Sequence, residues 1–361
     1  MEENAQKGVE LIKTLRTPEF AEFFNKEMEP VLQKIETLRN KFVSVYYSTI
    51  VLSAIIAVGI YLLTKSYLGV FAALFIVMVV KKYVRCVYAL NAKSRVMGKL
   101  LSFWGDFSCE TPNVKDLIWK WLAELSFDYT DTGIYESKET KRTYFDNNDY
   151  IASPHGQYVK SLRLLPSFNR CYAFEVIDGI YKGLNLTIRT LRLDYVSFTK
   201  NFITVGPLKL GRRTINKIFN GVFISCNIAK KTSGRVVIKK KKSWLNQFEN
   251  LNLPPAVSLE DPIFEEVFEV YADDISDAKN ILTIPILQRF IFIAKQKGKF
   301  DVVCSFENGM MNLALQKKGK WFDVSLFKSA NTIKNYRKLL MDLGKVLTVV
   351  DTMKAEQDIG M

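Results

Sequence analysis

Residues 42–63 read FVSVYYSTIVLSAIIAVGIYLL, twenty-two positions without a charge. As a helix rising about 1.5 Å per residue they cover about 33 Å, close to the ~30 Å hydrocarbon core of a bilayer. A soluble helix seldom stays apolar on every side for so long, because one face must meet water. Thr64-Lys65-Ser66 interrupts the run, and a second one follows at 67–80, YLGVFAALFIVMVV. It is short for a full crossing. Lys81, Lys82 and Arg85 behind it can lay their stems along the helix and lengthen its reach. Tyr46 and Tyr47 at one edge, and Tyr83 and Tyr88 at the other, suit an interfacial aromatic belt. The expectation is a transmembrane helical hairpin over 42–80, with spans at 42–63 and 67–80.

Positive charge orients the hairpin. Lys34, Arg39 and Lys41 precede the first span; Lys81, Lys82, Arg85, Lys93 and Arg95 follow the second; the turn holds only Lys65. Both termini are therefore expected in the cytoplasm. Cysteine usage agrees. Cys86, Cys109, Cys171, Cys226 and Cys304 are odd in number and contain no closely spaced pair, which fits a reducing compartment. The charged first 41 residues do not read as a cleavable signal.

Outward from the hairpin, residues 1–41 are expected to be cytoplasmic helices. Leu11, Ile12, Leu15, Phe20, Phe23, Phe24, Val31, Leu32, Ile35 and Leu38 recur at helical spacing, with Pro18 between two pieces. They form either a helical hairpin or a helix leading into the first span. Residues 81–126 are expected to be a cytoplasmic helical region. The second span continues as helix to about Phe103, and Val114–Leu125 forms another helix, with Trp119 and Trp121. Residues 127–157 are a polar connection.

From Cys171 the period changes to that of strands. Tyr172–Ile177 and Leu184–Leu193 alternate around a turn at 178–183; Val222–Ile228 and Arg235–Lys240 flank Thr232-Ser233-Gly234 as a second hairpin. Phe264–Tyr271 reads as a strand. Asp274–Lys279 and Ile284–Lys295 read as helices, with Asp274 as N-cap and Asp277 in capping-box position. Strands follow at Val302–Phe306, Met311–Gln316 and Trp321–Ser325. A last helix, Thr332–Met353, carries Ile333, Tyr336, Leu340, Leu343, Leu347 and Val350 on one stripe. The expected class is α+β: N-terminal helices and a transmembrane helical hairpin, then a cytoplasmic mixed strand and helix domain over 158–353 and a tail at 354–361.

The net charge of +14 is localised. Residues 159–250 hold 18 Lys and Arg against 4 Asp and Glu, a surplus as large as that of the whole chain. The densest cations are Lys209, Arg212, Arg213 and Lys217, then Lys230, Lys231, Arg235, Lys239, Lys240, Lys241 and Lys242. At an inner leaflet each such residue is worth about 1 kcal/mol of attraction to anionic lipid. These eleven are the candidate anionic-surface residues, with lipid or an acidic protein as partner. A solvated lysine-rich face is the plainer alternative. Phe198, Phe202, Phe219 and Trp244 among the cations would also suit nucleic acid, but no nucleic-acid motif is present.

Catalytic chemistry finds little support. The glycines match neither nucleotide loop. The one histidine, His155, lies in the polar connection, and nothing pairs it with Cys171. Glu265, Glu269, Asp273 and Asp277 are the candidates for a carboxylate or metal enzyme, the alternative to a binding role. Strand alternation would put Glu265 and Glu269 together on one solvated strand face and make most of the rest a helix cap, and the acidic stretch could instead pair with the basic hairpin. No cofactor is expected. Self-association is left open.

Several groups of residues carry a resemblance. They are Asp178-Gly179-x-Tyr181-x-Gly183, Phe219-Asn220-Gly221-Val222-Phe223, Val257-Ser258-Leu259-Glu260-Asp261-Pro262-x-Phe264-Glu265, Phe268-x-Val270-Tyr271, Asp277-Ala278-Lys279-x-x-Leu282-Thr283 and Ile286-Leu287. Together they resemble a bacterial membrane-protein family catalogued as a domain of unknown function (number three-one-three-seven), from the hairpin to about residue 315. Lys279 departs from it, standing where arginine is expected. The resemblance implies a helical start, a transmembrane hairpin, a soluble carboxy-terminal domain and a bacterial inner membrane. It implies no activity.

Overall fold

The structure, a computed structural model, describes residues 17–110, 154–248, 251–295 and 301–316 and parts of 321–354, apart from positions 66, 206–207 and 229. The expected contacts of Leu11, Ile12 and Leu15, the helix at Val114–Leu125 and most of the connection at 127–157 lie outside the described residues. The chain divides into two compact units. One is Gly8–Ile118 with Phe322–Gly344; the other is Trp119–Trp321 with Lys345–Met361 and Met1–Lys7.

The helical unit begins at α1, Pro18–Phe23. Thr17 caps it, its hydroxyl accepting the Phe20 N–H at 3.3 Å, and Pro18 sits in the first turn, where its missing N–H costs no hydrogen bond. A wider π-helical turn, Phe24–Met28, leads into α2, Glu29–Thr64. Pro30 explains the wide turn: an unbroken α-helix would press the proline ring on the carbonyl one turn back. From Pro18 onward the chain thus runs as helix into residues 42–63; the piece before Pro18, which a helical hairpin would need as its other arm, lies outside the described residues. Lys65 ends α2 in the left-handed conformation, φ +54°, donating its N–H to the Tyr61 carbonyl at 2.8 Å. The chain then turns straight into α3, Leu68–Leu101.

α2 and α3 pack side by side, close enough that a Cβ on Gly69 would lie 2.8 Å from the Ile60 Cβ. Far from that turn, Lys99 pairs with Glu27 at 2.6 Å and the Phe20 ring meets Phe103 edge-on at 5.1 Å, so the helices are antiparallel. At their base Glu36 takes a bidentate pair from Arg39, and its carboxylate also accepts the Ala330 N–H, while Arg39 reaches the Leu326 carbonyl. Toward the turn the large apolar side chains face outward on both helices: Val51, Leu52, Ile55 and Leu63 on α2, Phe71, Leu74, Phe75 and Met78 on α3. One helical run among the described residues, Pro18–Thr64, is long and apolar enough to cross a membrane, and only 6% of its apolar window is buried. A short strand, β1, Gly105–Glu110, follows α3.

The second unit is an antiparallel sheet with helices. Its elements are α4 (Pro154–Ser161), β2 (Arg170–Tyr181), β3 (Leu184–Val205), β4 (Leu208–Asn227), β5 (Val236–Lys240), β6 (Ala256–Val257), α5 (Pro262–Val267), β7 (Phe268–Ala272), α6 (Ile275–Ile281), α7 (Ile284–Lys295), β8 (Asp301–Glu307) and β9 (Met310–Gln316). Within it the strand order is β2-β3-β4-β9-β8-β5-β7-β6. The mixed α+β class holds. Two tight turns fix the register. Lys182 and Gly183 (φ +49° and +83°) join β2 to β3, and Asn308 and Gly309 (φ +52° and +73°) join β8 to β9. Both have the two positive φ values that match strand twist. One face of the sheet packs Phe223, Val237, Val303 and Ala314 against Val159, Leu164, Leu165 and Phe168 of α4 and the chain after it. Elsewhere Phe268 stacks on Phe264 at 4.9 Å and meets Phe290 of α7 at 6.0 Å.

Three strand expectations fail. Phe264–Tyr271 is not one strand. Asp261 accepts the Phe264 N–H at 3.0 Å, Pro262 opens α5, and only Phe268 onward is extended. The cap and the proline outweigh the alternation. Nor is there a second basic hairpin. β4 pairs with β3 and β9, while β5 lies between β8 and β7, so Thr232-Ser233-Gly234 belongs to a connection between distant strands. Trp321 and Phe322 are in a bend, both buried, and Ser325 belongs to no strand, while positions 323 and 324 lie outside the described residues. In the last helix Tyr336, Leu343, Leu347 and Val350 are helical and buried; Ile333 and Leu340 lie outside the described residues.

Candidate functional site

The eleven candidate cations do not form one patch. Lys209, Arg212, Arg213 and Lys217 stand on the outer part of β4. There β4 pairs only with β3, through Lys209↔Thr204, Arg212↔Thr199, Arg213↔Phe198 and Lys217↔Asp194. β2 leaves β3 at Asp194, and β9 meets β4 only from Gly221. Among the described residues, then, 195–205 and 208–220 form a two-stranded ribbon running past the sheet by roughly 35 Å at 3.3 Å per residue. From 195 to 217 it holds Lys200, Lys209, Arg212, Arg213 and Lys217 and no carboxylate. Its register slips at Asp194 and again between Thr199 and Phe202. Such slips strengthen twist and discourage pairing with stray strands.

The others are distributed over β5 and its flanks, and several are already engaged. Lys239 is only 8% exposed; its ammonium pairs with Glu269 at 2.9 Å and donates to the Asn246 side chain at 3.0 Å. Arg235 donates to the Leu162 and Asn252 carbonyls, both at 2.8 Å, and Lys230 to the Asn280 carbonyl at 2.9 Å. Burial pulls the Arg235 guanidinium below its ordinary value, opposed by Glu307 and Asp273. Lys240 is half-buried, while Lys231, Lys241 and Lys242 are exposed, as is Lys217 on the ribbon. The sequence shows the charge but not its use, because a buried lysine on a central strand reads the same as a solvated one.

The four candidate carboxylates each make contacts that hold local structure. Glu265 accepts the Ser258 hydroxyl at 2.7 Å and the Leu259 and Glu260 N–H groups, closing a turn in which Glu260 has φ +62°. Those hydrogen bonds hold its carboxyl below the ordinary range. Glu269 takes the Lys239 ammonium and the Tyr271 hydroxyl. Burial pushes its carboxyl up, but those two partners outweigh burial and leave it low. Asp273 accepts the Arg235 N–H at 2.8 Å. Asp277 accepts the Gly234 and Ser233 N–H groups and the Ser233 hydroxyl, which lowers it. Asp274 caps α6 as expected, through the Ser276 N–H at 2.8 Å. Asp277 does not complete the capping box; it ties α6 to the connection before β5. The expected pairing of acidic stretch with basic segment thus appears as particular contacts, not as two facing patches. Among the described residues no three His, Cys, Asp or Glu side chains are grouped to hold a metal.

His155 is half-buried on α4, and its Nδ1 accepts the Arg189 Nε–H at 3.3 Å. Cys171 is buried in the apolar core below α4. One feature escaped the sequence reading altogether. A cleft of about 510 Å³ lies in the sheet unit, with Leu162, Arg163, Arg235, Asn252, Asp273 and Glu307 among its walls. No motif marks it, because its residues come from five separate segments of the chain.

The comparisons fit this picture of a fold without an assigned activity. A family model described as "Protein of unknown function (DUF3137)" matches residues 217–355. The match starts after Asp178-Gly183 and continues past 315, so the family likeness sits further toward the carboxy terminus than the sequence reading places it. Among solved structures, the mycobacterial trehalose monomycolate transport factor A, TtfA, is similar at 10% identity over 49% of this chain and 73% of that one, with a TM-score of 0.23. A likeness at that level supports no conclusion about this chain. A search of curated proteins finds no match.

Proposed function

We propose that this chain is a two-pass protein of a bacterial inner membrane whose sheet unit binds an anionic surface in the cytoplasm. α2 and the first part of α3 are its spans. Both carry outward-facing aliphatic and aromatic side chains, a surface suited to lipid and costly in water. The lysines and arginines flanking both spans put the two ends on the cytoplasmic side.

The ribbon carries the binding reading. Five cations and no carboxylate on a projection of two strands make an electrostatic probe with little competing negative charge. At about 1 kcal/mol each, several cations near an anionic leaflet are enough to hold the unit there, and salt weakens the hold. Lys231, Lys241 and Lys242 are exposed and can add to it. With Lys239 and Arg235 engaged inside the fold, the working set is narrower than the sequence suggests.

Limited trypsin digestion of the full chain in nanodiscs tests this. Cleavage at Lys209, Arg212 and Arg213 is expected to be several-fold slower in phosphatidylglycerol discs than in phosphatidylcholine discs at low salt. The difference should vanish in 0.5 M salt. Equal rates in both discs would sink the lipid reading and leave the ribbon to an acidic protein partner.

A further inference from the structure

The cleft beside β5 has the features of a built site. Arg235 fixes its walls. One guanidinium nitrogen donates to the Leu162 carbonyl after α4 and the other to the Asn252 carbonyl, both at 2.8 Å. Its backbone N–H is held by Asp273 at 2.8 Å, and the Asp273 N–H returns to the Arg235 carbonyl at 3.1 Å. These contacts tie four of the lining segments to one another without any ligand. The volume, about 510 Å³, lies in the range used by small-molecule sites.

What the walls offer is charge of both signs. Arg163 is exposed at the end of α4, where φ +50° turns its backbone out of the helix. Glu307 ends β8 and is half-buried. Each lies near enough to act electrostatically on Arg235, Arg163 repelling and Glu307 attracting. Among the described residues neither side chain makes a hydrogen bond or ion pair. The Arg235 Nε–H is buried in the wall with no acceptor. One free guanidinium and one free carboxylate beside Asp273 complement a ligand that carries both charges.

We propose that this cleft binds a small zwitterion bearing a primary ammonium and a phosphate or carboxylate. The anionic group lies against Arg163 and the ammonium against Glu307 and Asp273. An ammonium that can donate hydrogen bonds suits these carboxylates better than a methylated one. Such a ligand could come from a lipid headgroup or from a free metabolite. The site does not depend on how the ribbon meets a membrane.

O-phosphoethanolamine is the probe, titrated calorimetrically into the full chain in detergent, with phosphocholine and ethanolamine as comparators. Saturable binding is expected for the first, at least tenfold tighter than for either comparator. Glu307→Gln and Arg163→Ala should each weaken it at least tenfold while the far-UV spectrum and melting curve stay unchanged. Absence of saturable binding, or affinity unmoved by both variants, overturns the proposal. If either variant fails to fold, Glu307→Asp and Arg163→Lys take its place, with a severalfold loss expected. Repeating the titration in nanodiscs separates the sources. Competition by phosphatidylethanolamine discs but not by phosphatidylcholine discs assigns the site to a headgroup; no competition assigns it to a free metabolite.

Discussion

The two units treat apolar side chains in opposite ways. In the sheet unit Ile188, Ile224, Leu313, Cys304 and Ile238 form a row across five strands and are fully buried. In the helical unit side chains of the same chemistry, Val51, Leu52, Ile55, Phe71 and Leu74, stand mostly exposed, while the buried positions near the turn are the small Ser53, Ala57 and Gly69. Small residues where helices touch and large ones facing out is the arrangement of helices whose surroundings are as apolar as they are. If the helices lie in a bilayer as proposed, burial within the protein measures only one of two solvents. The same isoleucine is core in one unit and surface in the other.

That contrast can be broken by the same substitution at two sites. Arginine at Ile55, 63% exposed, would change stability by no more than about 0.5 kcal/mol if the helix sat in water. In a bilayer it should cost about 3 kcal/mol of insertion, read as loss of the chain from alkali-washed membranes. Arginine at Ile224, 0% exposed, puts an unpaired charge in the sheet core and should abolish the strand contribution to the far-UV signal, while membrane retention through the helices persists. An Ile55→Arg chain that stays membrane-bound would show that the helical pair is not the anchor.

The helices were legible in the sequence because they depend on local properties: an uncharged run, a polar interruption and a basic flank. The first hairpin and the strands 302–306 and 311–316 were legible for the same reason, although β2 stays paired to Tyr181 and the turn is Lys182-Gly183 rather than the expected 178–183. Asn308-Gly309, the dipeptide best suited to a two-residue turn, is the signal that would have joined the last two as a hairpin. Failure began where distant segments met. The sequence neighbours of Thr232-Ser233-Gly234 alternate well, yet β5 inserts between β8 and β7, and nothing within a dozen residues specifies that. The alternation of 264–271 was real but outweighed by one capping aspartate and one proline. The cations were visible as a count. Whether each is spent or free depends on partners far along the chain, such as Glu269 for Lys239 and Leu162 for Arg235.

Gly221 sharpens the comparison from the sheet side. A Cβ there would lie 2.1 Å from the Leu315 carbonyl oxygen, so the backbone of β4 approaches β9 more closely than any side chain permits. Gly221 also marks where β4 leaves β9 and continues as ribbon. Gly221→Ala is expected to cost about 3 kcal/mol, the upper end of overpacking penalties, read as a lower denaturation midpoint. Gly69 is the helical counterpart, with Ile60 at 2.8 Å, but there the obstacle is a side chain that can shift. Gly69→Ala should therefore cost less than Gly221→Ala, and the reverse order would mean that the helical pair is the more tightly fitted.

The smallest effect concerns Asp301 and has a sign that can be fixed in advance. Its carboxylate accepts the Trp244 N–H at 2.7 Å through one oxygen, while the other is buried without a partner among the described residues. Burial pushes its carboxyl above the ordinary range, and the Trp244 and Ser243 donors only partly oppose this. A carboxyl raised on folding favours the fold fully below its unfolded value near 3.8, and that contribution is lost as pH rises through the folded value. At pH 7.5 the charge is therefore a cost. Asp301→Asn keeps an acceptor for Trp244 and removes the charge, so it should stabilise by a few tenths of a kcal/mol after discounting for partial solvent access, roughly 1 °C in Tm. Below pH 3.8 the gain should disappear. A loss of stability in the asparagine variant at pH 7.5 would mean that the ionised carboxylate is favoured where it lies, with the Trp244 and Ser243 donors outweighing the burial.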